Sequence, residues 1–297
     1  MPSEIHLRAL QGSNPLGFLA ALGVVDAMDR NGMSEATLRW EGGLIPHAVL
    51  RGPDDMDQLV RTIDEDRASW NERVALNGPD PLTPATDIKP ELGAVRSWIE
   101  NAHDDTDLRL IHSLLSEEAE AGNGDAKPTH LHFTAGQQKF LLMAQQLRDG
   151  ITAEHIVEAI EGPWTYESEL PVLGWDNSRG ERIHALRGFK PSGEKKTGVP
   201  GADWLALLGL RFLPVATNLD SHLLTTRCTP GWKKGSFDWP LWDPHLPSSS
   251  IGILLSLNLD KVAPAELEAR GITAHYKAAI RRADQGGYGS FGPSSTL

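Results

Sequence analysis

The sequence predicts a mixed α+β chain, helix-rich in its N-terminal and middle parts and strand-rich in its C-terminal part. Three observations predict it. Residues 14–29 are apolar at helical spacing. Residues 4–10 and 37–41 alternate apolar and polar side chains, as half-buried strands do. After residue 212 helical periodicity gives way to candidate strands at 221–228, 236–239, 251–259 and 272–283.

Each element can be justified in turn. Glu4-Ile5-His6-Leu7-Arg8-Ala9-Leu10 is the first strand. The helix at 15–30 follows, with Ser13 or Asn14 able to cap its free N–H groups and Pro15 at the first helical position. It is apolar nearly all round until Asp26, the mark of a buried helix. Asn31-Gly32 ends it. Gly17 and Gly23 each weaken it by roughly 1 kcal/mol relative to Ala, and suit a place where another backbone packs closely. Strands at 37–41 and 47–50 flank a Gly42-Gly43 turn, and Asp54 or Asp55 caps a helix running through Ile63 toward Trp70. Strand, helix, strand, strand, helix are the first five elements of a ferredoxin-like unit.

Two short helices are expected at 91–102 and 105–120. A third, capped by Thr134, runs to Asp149-Gly150, and a fourth, capped by Thr152, ends at Gly162-Pro163. Regular patterning stops between 163 and 201, a length that marks a functional or disordered loop. Its Trp164, Tyr166, Leu170, Leu173, Trp175, Ile183, Leu186 and Phe189 supply anchors against full disorder. A helix at 203–212 capped by Asp203, a short helix at 264–270 and a flexible tail at 285–293 complete the expectation. Trp204-Leu205-Ala206-Leu207-Leu208-Gly209-Leu210 echoes Phe18-Leu19-Ala20-Ala21-Leu22-Gly23-Val24. Such runs are common in helices, so two unrelated core helices are the expectation.

The chain has 297 residues, 40% hydrophobic and 23% charged, which suits a soluble protein with a sizeable core in one large or two smaller domains. The division expected is 1–128, an acidic α/β region, and 129–297, a C-terminal region with a basic loop and antiparallel strands. No apolar run reaches the roughly 20 residues of a membrane span. The N-terminus lacks the basic-then-apolar order of a secretory signal. The single cysteine, Cys228, excludes an internal disulfide and a Cys-rich zinc site. A cytoplasmic protein is expected. The net charge of −12 is uneven: residues 51–130 carry 18 acidic against 8 basic side chains, and residues 131–297 carry 17 of each. The acidic part is a poor surface for nucleic acid, so such a partner belongs on the second half.

The basic loop is the most informative motif. Arg179, Arg182, Arg187, Lys190, Lys195 and Lys196 interleave with Trp175 and Phe189, and Trp232-Lys233-Lys234 repeats the pairing of aromatic and cation. Cations neutralise phosphates, and rings stack on splayed bases for roughly 1–3 kcal/mol each. The bland alternative is a solvated loop paired with the acidic half. His130 and His132 have a spacing metals use. No third ligand accompanies them, so they read as structural or exposed, and no metal or other cofactor is expected. Asp243-Pro244-His245 and Asp220-Ser221-His222 have no Gly-x-Ser-x-Gly elbow to make a triad with. The glycines at 188 and 193 lack the Lys-Ser/Thr of a phosphate loop.

The stretch Leu10-Gln11-Gly12-Ser13-Asn14-Pro15-Leu16-Gly17-Phe18-Leu19-Ala20-Ala21-Leu22-Gly23-Val24 resembles the opening of subunits found with CRISPR systems of the type I-U (I-G) group. Residues 133–141 and 201–210 look similar to segments of the same group. The resemblance implies a short relative of the effector-complex large subunit: a non-catalytic part of an RNA-guided antiviral surveillance complex. Its expected partners are neighbouring subunits and guide RNA or target DNA, without a membrane. In such complexes base pairing reads sequence and protein holds backbone or a short flanking motif. The alternative is an enzyme or small-molecule binder with a pocket under the 163–201 loop closed by Trp164 and Trp175. A third reading is an interaction module without a ligand.

Overall fold

The structure, a computed structural model, describes residues 3–178, 197–231, 234–282 and 288–297. It is α+β, with its helices mostly in the first two-thirds and numerous strands in the C-terminal part. Alternation in β1 (Glu4–Gln11) turns Ile5 and Leu7 inward. Asn14 caps α1 (Pro15–Arg30) through its side-chain oxygen, which accepts from the Leu16 N–H at 2.9 Å. β2 (Thr37–Glu41) and β3 (His47–Arg51) form the hairpin around the Gly42-Gly43 turn, and Asp55 caps α2 (Met56–Ser69). β3 lies between β1 and β2, antiparallel to both, with Leu50 opposite Ile5 on one side and Leu38 on the other. That is the strand arrangement of a ferredoxin-like unit through its fifth element.

A short turn of helix, α3 (Val74–Asn77), precedes α4 (Leu92–Glu100) and α5 (Asp105–Leu114). The expected helix at 105–120 thus stops at Leu114, and residues after it, acidic at 117, 118 and 120, leave the helical path. α6 (Phe140–Gly150) begins later than Thr134 predicts, because a distant carboxylate does the capping: Asp87 Oδ1 accepts from the Phe140 N–H at 3.2 Å. Thr152 does cap α7 (Ala153–Glu161), in a capping box with His155. α7 packs against β1.

α8 (Pro200–Gly209) is followed by a 3₁₀ turn at Leu210–Phe212. The helix begins three residues before Asp203, whose carboxylate accepts from the Leu173 N–H at 3.1 Å instead of capping. α1 and α8 are both buried along nearly their whole length and pack on each other. The echo between them has a structural meaning. A Cβ on Gly23 would stand 1.9 Å from the Leu205 carbonyl oxygen, and one on Gly209 would stand 2.0 Å from that of Leu19. Gly23 and Gly209 are equivalent in the echo, as are Leu19 and Leu205. The pair is therefore reciprocal, like an isologous interface within one chain.

β4 (Val215–Thr217) pairs with β5 (Leu223–Thr225). β6 (Cys228–Thr229) and β7 (Ser236–Trp242) belong to a second sheet, and β8 (Leu246–Pro247) adds to the free edge of β2. The segment expected as a strand at 251–259 falls instead in a helix, α9 (Ser248–Ser256), with Ile251 and Leu255 buried one turn apart. α10 (Pro264–Ala269) leads to β9 (Ile272–Arg282). Of the tail expected to be flexible at 285–293, residues 285–287 lie outside the described residues and 289–293 fall in β10 (Gly289–Thr296), paired with β9; the second sheet runs β10-β9-β7-β6, all antiparallel. Phe18 of α1 joins the two sheets, 5.7 Å from the Trp40 ring and 5.9 Å from that of Trp239. Buried indoles need acceptors, and they reach across: Trp239 Nε1 donates to the Gly12 carbonyl and Trp242 Nε1 to that of Leu38, both at 2.8 Å. No helix among the described residues is long and apolar enough to cross a membrane.

Candidate anion-binding pocket

Of the residues the sequence singles out for nucleic acid, Arg179, Arg182, Arg187, Lys190, Lys195, Lys196, Trp232 and Lys233 lie outside the described residues. Lys234 is exposed on the loop between β6 and β7, its backbone against Gly231. The stretch leading into 179–196 is firmly placed. Asp176 accepts from Asn14 Nδ2 at 2.8 Å and from the Tyr166 hydroxyl at 2.9 Å, so the residue that caps α1 also holds the base of this loop.

The described residues bring together a different set. Lys89, Lys127, His130, His132, Thr134, Arg282 and the Pro230-Gly231 turn surround a cavity of about 420 Å³. Local chemistry explains the placement. Lys89 and Lys127 each precede a proline, which favours extended backbone. The two segments run side by side, with the Ala126 N–H donating to the Pro90 carbonyl at 2.8 Å. Residues 129–133 cross the cavity floor. The His130 N–H donates to Thr225 Oγ1 at 3.0 Å, and Trp175 Nε1 donates to the Leu131 carbonyl at 2.9 Å. From β9, the Arg282 guanidinium donates to the His132 and His130 carbonyls, both at 3.0 Å. It also lies over the Phe133 ring, 5.7 Å from the centroid.

The electrostatics favour an anion. Burial first, then the charges of Lys127 and Arg282, pushes His130 down to about 4. His132 is lowered as well, chiefly by burial, with Asp87 opposing. Burial works against the Asp87 carboxylate too, yet the His132 ring and the Phe140 N–H hold it below the usual range. Both imidazoles are therefore neutral at neutral pH and the cavity's charge comes from Lys89, Lys127 and Arg282. Among the described residues no carboxylate forms an ion pair with Lys89 or Lys127. The sequence predicts His130 and His132 to be structural or exposed; their side chains bond Thr225 Oγ1 at 2.9 Å and Thr134 Oγ1 at 2.7 Å. Sequence pattern does not predict the cluster as a whole. The signal available was the repeated Lys-Pro pair flanking His-x-His.

Other expected features fall elsewhere. Trp175 is fully buried in the core, and Trp164 leans on α7 by donating to the Ala159 carbonyl at 3.2 Å. Neither lines the cavity at Lys89 and Lys127 or the one beside α6. An open cavity of about 960 Å³ does lie under residues 168–172, walled by α6. Behind that segment Asp203 is buried with Oδ2 unpartnered. Burial, reinforced by Asp176 and opposed by the Leu173 N–H, raises its carboxyl to about 8. His245 bonds Glu4 Oε1 at 2.9 Å and Thr37 Oγ1 at 3.1 Å at the edge of the first sheet, and Asp220, Ser221 and His222 sit exposed in the turn between β4 and β5. No family model matches the chain. No curated protein matches it either.

Proposed function

We propose that this chain is a non-catalytic subunit of a cytoplasmic RNA-guided surveillance complex of the CRISPR type I kind, and that the Lys89–Lys127–Arg282 cavity holds a backbone phosphate of its guide RNA or target DNA. One observation carries the reading: three cations converge on a cavity whose two imidazoles are neutral, and two of those cations have no carboxylate partner among the described residues. Phosphate contacts of this kind position a protein on nucleic acid without reading sequence, as the role requires. The cavity wall at Pro230-Gly231 continues directly into Trp232-Lys233-Lys234, so stacking and charge are adjacent in the chain. The resemblance of the α1 and α8 stretches to type I-U (I-G) subunits supplies the kind of complex. Under this proposal the basic residues from Arg179 to Lys196 also contact nucleic acid.

The experiment is purification together with the products of neighbouring genes. RNA of one length should co-purify, and Arg182→Glu with Lys196→Glu should weaken its retention while the protein stays folded. A stable assembly free of nucleic acid, or retention unchanged at low salt, would overturn the proposal.

A further inference from the structure

The outer face of the first sheet carries a second cluster unrelated to the cavity. His6 on β1, Glu41 at the end of β2 and His47 at the start of β3 present ligand atoms that all lie within 4.8 Å of one another. Strand pairing explains the convergence. Glu41 stands directly opposite His47 in the ladder between β2 and β3. His6 stands opposite Val49, two residues along β3 from His47, and so meets it diagonally on the same face. A register shift in β1 after Leu7 accompanies the approach, and the two imidazole rings lie 5.5 Å apart at 38°.

The distances match coordination geometry. Ligand atoms about 2.05 Å from a tetrahedral ion stand about 3.3 Å from each other. His6 Nδ1 lies 3.2 Å from His47 Nε2 and 3.3 Å from Glu41 Oε2. Arg39 Nη2 steadies Glu41 Oε2 from 3.4 Å. All three side chains are half-buried, so an ion reaches them from solvent.

We propose that His6, Glu41 and His47 form a three-ligand site for a zinc-class divalent ion, with the fourth tetrahedral position left to solvent. Two imidazoles and one carboxylate with an open position are the donor set that suits zinc. The protein contains an instructive contrast. Asp238, Asp260 and His275 are equally close, but the Arg227 guanidinium already lies among them, 2.9 Å from His275 Nε2 and bonded to Asp238. A cation fills that second cluster from within the chain. The ligand atoms of the first face one another without a guanidinium between His6 and His47.

The test uses tag-free full-length protein stripped with a chelator and titrated with Zn²⁺ by calorimetry, then with Co²⁺ by visible absorption. One equivalent of Zn²⁺ should bind, and Co²⁺ should give the intense bands of tetrahedral coordination. His6→Ala and His47→Ala should each weaken Zn²⁺ binding by more than about tenfold, the loss expected from a ligand when its supporting partners already cost that much. Glu41→Gln keeps the shape and removes the charge, so it carries the test if a histidine variant fails to fold. No Zn²⁺ binding, octahedral Co²⁺ spectra, or binding that survives all three substitutions would overturn the site and leave a trio joined only by shared protons.

Discussion

At Asp203, burial decides the protonation state. The carboxyl has one donor, the Leu173 N–H, and an unpartnered oxygen. Its pKa in the folded chain is raised from 3.8 to about 8, with burial the main cause. The unfolded chain thus loses this proton first as pH rises, and folding stability falls between pH 3.8 and about 8. Asp203→Asn removes that loss while keeping the acceptor for Leu173. The variant should be more stable than the parent at pH 7.5, with a gain that shrinks to little near pH 4, measured by denaturant unfolding across pH. An equal difference at every pH would contradict the assignment. The sequence predicts Asp203 at a helix cap, a position that acidic residues favour. Only the start of α8 at Pro200 shows that it lies inside the helix.

Two features hold the elements together, and they respond differently to substitution. The first is the reciprocal pairing of α1 and α8 at Gly23 and Gly209. An alanine ordinarily gains about 1 kcal/mol over glycine within a helix. Here the added methyl would meet backbone at 1.9 Å, and overpacking of this kind costs about 1–3 kcal/mol or more. Gly23→Ala should therefore destabilise, and so should Gly209→Ala. The double variant should cost less than the sum, because one separation of the helices relieves both clashes. The second feature is charge buried at the end of α1. Asp26 accepts from Arg30 at 2.9 Å and from Arg211, while Arg30 also pairs with Asp66, where Nη2 donates to Oδ2 at 2.8 Å. Asp26→Ala leaves Arg30 on Asp66 but strands the buried Arg211 guanidinium, and should cost about 3–5 kcal/mol in chemical denaturation. A loss below about 1 kcal/mol would show that water reaches Arg211.

Legibility differed among these elements for physical reasons. α1 was plain because its cap, proline, apolar run and stop agree. The residues of α9 misled because Ile251 to Leu255 form a short apolar run, and periodicity cannot separate a short buried strand from a helix of that length. β10 misled because its glycines, serines and proline suggest a loop; its order comes from pairing with β9 and from Phe291, whose ring lies 4.9 Å from that of Phe133. The echo was visible in sequence, but its reciprocal contact was not, since that depends on which helix packs where.

For the molecule as a whole, the account rests on where positive charge collects. The net charge is −12, and an acidic surface repels nucleic acid. Two of the cavity's three cations, Lys89 and Lys127, come from the acidic stretch itself, which the overall count concealed. The most direct measurement is binding of a labelled single-stranded RNA to the purified protein across a range of salt, compared with Lys89→Glu/Lys127→Glu. Each phosphate contact contributes a slope of about −0.7 to the logarithm of affinity against that of salt. The account predicts weaker binding by the double variant, with a slope shallower by about 0.7 for the one phosphate lost. Equal affinity and an equal slope in the two proteins would contradict it.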